Sequence, residues 1–254
     1  MRTDILDFHE FYRSPLGTAA AGFIGAQLTE AWGDGDRLRI GGFGFANPYL
    51  TLFDKAERRL TLAPGAQGVI RWPTGEANGA ALVGERSWPL PDAALDRLLI
   101  VHGLEESPDP RRLMREAWRV LSDDGRLIIA AAHRRGPWSI IDSTPFAAGR
   151  PYLKRQLGRL VGEAMFRVTA WSAALYFPPV RTSLLLRSAR AWERAGARVW
   201  PGFSGVLMVE AVKDMAVPAG LVRSARERSG RPAIASPSPA RMDPARSERS
   251  AKSG

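Results

Sequence analysis

Cysteine is absent from the 254 residues. That excludes disulfides, thiolate zinc sites, iron–sulfur clusters and a cysteine nucleophile. Histidine is nearly absent: only His9, His102 and His133 occur, which argues against a polyhistidine metal centre. No apolar run approaches the roughly 20 residues of a membrane helix. The first residues include Asp4 and Asp7, acidic where a signal peptide is basic. A soluble, cytoplasmic protein with no transmembrane segment is the expectation. There is no carboxylate pair, no Gly-x-Ser-x-Gly elbow and no metal-ligand spacing, which argues against hydrolase chemistry.

What is present reads as an ordinary globular chain, with 45% apolar and 24% charged residues. The formal net charge of +10 is uneven. From Pro218 onward there are eight basic residues against Glu227, Asp243 and Glu248, among seven Ser, seven Ala and five Pro. Such a segment buries too little surface to offset its chain entropy, so 218–254 is expected to be a disordered basic tail. Nucleic acid or anionic lipid is expected, if at all, only through that tail. The folded part is then 1–217: an N-terminal helical cap over 1–36, a ligand-binding half over 37–135 and a substrate-side half over 136–217.

Helices are expected over 4–12 and 18–32, the second after the Ser14-Pro15-Leu16-Gly17 start signal. Leu38-Arg39-Ile40-Gly41 begins a short strand, 47–53 suits a helix, and 60–63 and 80–83 suit strands. Leu98-Leu99-Ile100-Val101 lies in a buried strand. Asp109 and Pro110 start a helix as N-cap and first residue, with Leu113, Ala117, Val120 and Leu121 on one face, and Asp123-Asp124-Gly125 ends it. Another buried strand spans 127–132. A helix over 150–164, a strand over 168–177, a helix over 183–195 and a strand over 205–212 follow. The pattern predicts a three-layer, doubly wound α/β fold. Its sheet has seven mostly parallel strands and an antiparallel edge strand.

Chemistry is expected at the end of the first strand, in Gly41-Gly42-Phe43-Gly44-Phe45-Ala46. Small residues there admit a ligand to the backbone, at the switch point of a doubly wound sheet. Tight strand–helix packing accounts for the same glycines equally well. No Gly-Lys-Ser/Thr follows, so this is not a P-loop, and Asn47 breaks the dinucleotide fingerprint.

The segment from Trp88-Pro89-Leu90-Pro91-Asp92 through Leu98-Leu99-Ile100-Val101-His102-Gly103-Leu104-Glu105 leads to Asp109-Pro110, Arg115-Glu116-Ala117-Trp118-Arg119-Val120-Leu121 and Asp124-Gly125-Arg126-Leu127. In order, spacing and residue type it resembles the class I S-adenosylmethionine-dependent methyltransferases, in particular their type 11 group. The likeness is dense over about 50 residues and diffuse elsewhere. It implies a Rossmann-like fold, S-adenosylmethionine as cofactor and methylation of a small-molecule or lipid-like acceptor. The cofactor contacts it implies are Gly42, Phe43, Gly44, Ala46, Pro64, Glu85, Val101 and His102, with Glu85 facing the adenine amino group. His102 is the candidate general base, needed only when the acceptor must lose a proton. His133 is a weaker candidate, and Tyr12 belongs to a segment that in such proteins folds over the cofactor.

Departures from the family pattern are specific. Ile40 stands where the first strand usually carries an acid, Ala46 where the third glycine falls, and Ala63-Pro64 where the second strand usually ends in the acid that holds the ribose hydroxyls. Glu106 replaces a histidine. Charge-assisted hydrogen bonds contribute roughly 1.5–3 kcal/mol each, so two losses weaken cofactor binding on the order of a hundredfold or more. A catalytically inactive methyltransferase-like binding or regulatory protein is therefore the alternative. An NAD(P) oxidoreductase fits less well, since it too wants an acid, or a suitably placed Arg, after the second strand. Trp138, Phe146, Tyr152, Trp171, Tyr176 and Phe177 build either an apolar substrate cavity or the packing of the last sheet edge.

Overall fold

A computed structural model describes residues 2–180, 182 and 186–215. The 218–254 tail lies outside the described residues. Seven strands form one sheet: β1 (Arg39–Gly44), β2 (Arg58–Pro64), β3 (Ala80–Val83), β4 (Leu95–Val101), β5 (Leu121–Ala132), β6 (Phe166–Ala174) and β7 (Val206–Lys213). Their order is β3-β2-β1-β4-β5-β7-β6. β1 to β5 pair in parallel, and β7 runs antiparallel between β5 and β6. The expected fold class holds, with the antiparallel strand one place in from the edge.

The strands alternate between two cores, as a sheet covered on both faces requires. Leu99, Val101, Ile128 and Ala130 face α1 (Ile5–Arg13), α2 (Pro15–Trp32) and α3 (Asn47–Leu50). Leu98, Ile100, Leu127 and Ile129 face α4 (Pro110–Val120) and α5 (Lys154–Glu163). The last helix is α6 (Ala189–Val199). Asp109 caps α4 through the Arg112 N–H, as expected. The Asp123-Asp124-Gly125 stop is not used: α4 ends at Val120 and β5 begins at Leu121, with a register shift against β4. No helix of the described residues joins β2 to β3.

Where the first helices start is dictated locally. The Asp4 carboxylate accepts the Leu6 N–H at 2.8 Å and the Ser14 hydroxyl accepts the Gly17 N–H at 3.1 Å, each satisfying a free donor of a first turn. The amphipathic α1 buries Ile5, Phe8, Phe11 and Tyr12. That face is laid across the carboxyl ends of the central strands.

Candidate functional site

A doubly wound sheet opens a crevice at the carboxyl ends of its strands where the order reverses, here beside β1, β2 and β4. The glycines at this point serve packing. A Cβ on Gly42 would lie 2.4 Å from the Ala46 Cβ, which brings α3 onto the strand, and one on Gly41 would meet the Leu95 side chain at 2.5 Å. Gly44 has φ +87°, and a Cβ there would lie 2.2 Å from the Val101 carbonyl oxygen. A side chain on Gly44 would strike the end of β4. Phe43 points to the opposite face and stacks on Trp88 at 5.0 Å. The Val101 carbonyl accepts the Phe45 N–H at 2.9 Å.

The crevice itself holds the N-terminal segment. Arg2 donates to Glu85 Oε1 from Nε at 3.1 Å and through a closer Nη2 contact, and to the Gly103 carbonyl at 3.1 Å. Thr3 N–H donates to Glu106 at 2.8 Å, and Ile5 N–H to the Gln67 carbonyl at 2.9 Å. Gln67, just past β2, donates from its side chain to the Gly44 carbonyl at 3.2 Å. Beyond these, Phe8 and Tyr12 both stack on Phe45, at 5.3 and 5.4 Å, and Phe8 lies 4.8 Å from the His102 ring. The Tyr12 hydroxyl bonds His102 Nε2 at 2.8 Å and the Tyr49 hydroxyl at 2.9 Å. Phe146 closes the far side of His102 at 4.6 Å. The segment therefore runs from the end of β3 to the ends of β1 and β4.

Burial pushes the His102 imidazole down to about 3, so the ring is neutral at physiological pH. The same burial raises the Tyr12 phenol. Such a histidine, enclosed by Phe8, Tyr12 and Phe146, is a weak base in this conformation. His133 sits at the end of β5 with Nδ1 3.0 Å from the Ser204 carbonyl, tying two loops together. Glu85, expected to face an adenine, is taken by Arg2 and by the Ser107 hydroxyl at 2.6 Å. Trp138, Phe146 and Phe177 are fully buried core, Trp138 donating to the Phe177 carbonyl at 2.7 Å. Tyr152 and Trp171 pack on the α4–α5 face. Tyr176 lines a groove with Trp200.

Residues the sequence did not single out here are Arg2, Phe8, Gln67 and Tyr49, and Glu105, which had counted only toward the family likeness. Glu105 accepts the Ala132 N–H at 2.7 Å through Oε1. Its Oε2, like Gln67 Oε1 and Arg2 Nη1, is buried without a partner. Burial raises the Glu105 carboxyl, the neighbouring Glu106 charge adding to this and Arg2 opposing it. A folded-state pKa above the unfolded value stabilises fully below the unfolded pKa, and that stability is lost as pH rises through the folded one. Urea midpoints of wild type are therefore expected to fall from pH 4 upward relative to those of Glu105→Gln. Parallel pH profiles for the two proteins would contradict this.

The residues present do not fit S-adenosylmethionine in this conformation. The space beside Phe45 and His102 is filled by Phe8 and Tyr12, and β2 ends in Pro64 with no acid. Among the described residues no group of three His, Asp or Glu is arranged to hold a metal, and no helix is long and apolar enough to cross a membrane.

Strand order, two covered faces and the crevice define a class I methyltransferase fold. Solved structures agree in fold. A [4+2]-cyclase, SpnF, is 18% identical, with a TM-score of 0.54 over 75% of this chain and 80% of that one. An S-adenosylmethionine-dependent methyltransferase from Mesorhizobium loti is 14% identical, with a TM-score of 0.53 over 74% and 96%. The methyltransferase domain family matches residues 72–129. An uncharacterised protein of Mycobacterium tuberculosis is 30% identical over 109 residues, 40% of this chain and 37% of that protein, so the match spans little more than a third of the relative. The chain therefore has the class I methyltransferase fold, and over residues 72–129 it resembles the methyltransferase domain family.

Proposed function

We propose that this chain is a methyltransferase-fold protein that works without the cofactor, as a binding or regulatory protein. The observation that supports it is the seating of Phe8 and Tyr12 against Phe45 and His102. Ile5, Phe8, Phe11 and Tyr12 are all buried, and fully burying one such side chain stabilises by about 1.5–3 kcal/mol. Lifting α1 away thus costs on the order of 10 kcal/mol. A ligand must favour the open state by a comparable margin to populate it, and here it would do so without the two family acids. That other chemistry occupies this fold is consistent with the neighbour named as a cyclase. Calorimetric titration of the full chain with S-adenosylmethionine and S-adenosylhomocysteine is expected to give no heat at millimolar ligand. A micromolar dissociation constant would overturn the reading.

A second reading is methyl transfer to a small or lipid-like acceptor after α1 withdraws. It is favoured by Gln67 Oε1 and Glu105 Oε2, buried acceptors without partners beside the crevice. Gln67 stands three residues past the end of β2, where a neutral amide can replace the missing acid toward hydroxyl groups. A groove of about 540 Å³ between α1 and the 142–148 loop, lined by Thr3, Asp7, Phe11, Asp142 and Thr144, would receive the acceptor. Once freed from Tyr12 and hydrated, His102 is the base available there. Turnover that falls in His102→Ala by roughly 10²–10⁴-fold would support this reading.

A further inference from the structure

Between the loop after β5 and the end of α6, apolar side chains are left in water. Ile140, Val199, Trp200 and Phe203 are 72%, 61%, 52% and 58% exposed. Ile140, Trp200 and Phe203 line one shallow groove of about 560 Å³ with Arg135, Pro137, Tyr176 and Gly196. It is formed by the loop after β5, the end of α6 and the turn Pro201–Phe203.

Arg135 lines the groove, and further exposed arginines lie on α6 and its flanks. Arg190, Arg194 and Arg198 recur every fourth residue along α6, and are exposed, as are Arg187, Arg134 and Arg135. None of these six makes an ion pair among the described residues. The only carboxylate of α6, Glu193, is turned inward and accepts the Leu175 and Tyr176 N–H groups at 2.7 Å each. Asp142 lines the other groove, on the α1 side of its loop.

From this arrangement we infer that α6, the Pro201–Phe203 turn and Ile140 form a docking surface for an anionic membrane. Arginines beside protruding Trp, Phe and aliphatic side chains suit an interface in which the apolar groups enter the acyl boundary and the cations stay with phosphates. Nucleic acid would engage the arginines, but Ile140 and Val199 gain nothing from a phosphate backbone. A two-fold dimer through this patch would bring like charges together. The inference stands apart from cofactor binding: the groove is separated from His102 by Trp138 and Phe146, whose rings lie 5.4 Å apart.

The test is co-sedimentation of the full chain with vesicles of phosphatidylcholine alone and of phosphatidylcholine with phosphatidylglycerol. Wild type is expected to bind only the anionic vesicles, and less so as salt rises. Trp200→Glu with Phe203→Glu, and separately Arg194→Glu with Arg198→Glu, are expected to lower partitioning at least tenfold. Each arginine near an anionic surface contributes on the order of fivefold. All variants keep the basic 218–254 tail, so equal binding by wild type and both variants assigns any attraction to the tail and overturns the inference. No vesicle binding by wild type overturns it as well. So does a wild-type dimer in sedimentation equilibrium that the Trp200/Phe203 variant dissolves, or loss of DNA retention in variants that still bind vesicles.

Discussion

Gly44→Val is expected to leave little folded protein. The residue has φ +87°, and its Cβ would stand 2.2 Å from the Val101 oxygen and 2.9 Å from the Gly103 nitrogen. That oxygen is held by the Phe45 N–H, so it cannot retreat without opening the junction of β1 and β4. Backbone strain at a sparsely populated conformation costs about 1–3 kcal/mol, and overpacking typically another ~1–3 kcal/mol. Against a total stability of about 5–15 kcal/mol, the sum removes much or all of the margin. Gly65→Ala is the control, since nothing lies closer than 3.8 Å to a Cβ there. Urea denaturation should show a near-wild-type midpoint for Gly65→Ala and a large loss, or insoluble protein, for Gly44→Val. A wild-type midpoint for Gly44→Val would mean that Gly44 does not hold the strand ends together.

Phe8→Ala has the next largest expected effect. The ring is fully buried between Phe45 and His102, and truncating a core phenylalanine costs about 3–5 kcal/mol. The cavity it leaves lies in the crevice. Water reaching His102 relieves the burial that holds its imidazole near 3, so its titration, followed by NMR, should move toward the ordinary histidine value. The same variant separates the two functional readings. If α1 merely gates the cofactor, S-adenosylmethionine should give heat with Phe8→Ala and not with wild type. If the crevice has lost the cofactor, neither protein should respond. An unshifted His102 in a folded Phe8→Ala protein would show that Phe8 is not what keeps the ring dry.

The layered fold was legible in the residues because its signals are local. The runs 98–101 and 127–132 are apolar on both faces, Asp109-Pro110 fixes a helix start, and the spacing between them leaves room for one crossover. The contents of the crevice were not. Glycines look the same in a sequence whether they admit a ligand or a neighbouring strand, and only the positions of Ala46, Leu95 and Val101 show how closely neighbours pack on them here. Arg2 and Glu85 are 83 positions apart, and Tyr12 and His102 are 90 apart. Composition and periodicity carry no information on pairings at that separation; the chain path over the sheet creates them. Thus the sequence by itself determined the layered α/β class, the seven mostly parallel strands and the missing acids. That α1 fills the crevice, leaving His102 dry and neutral, was decided by tertiary packing alone, because burial and proximity exist only once the elements are assembled.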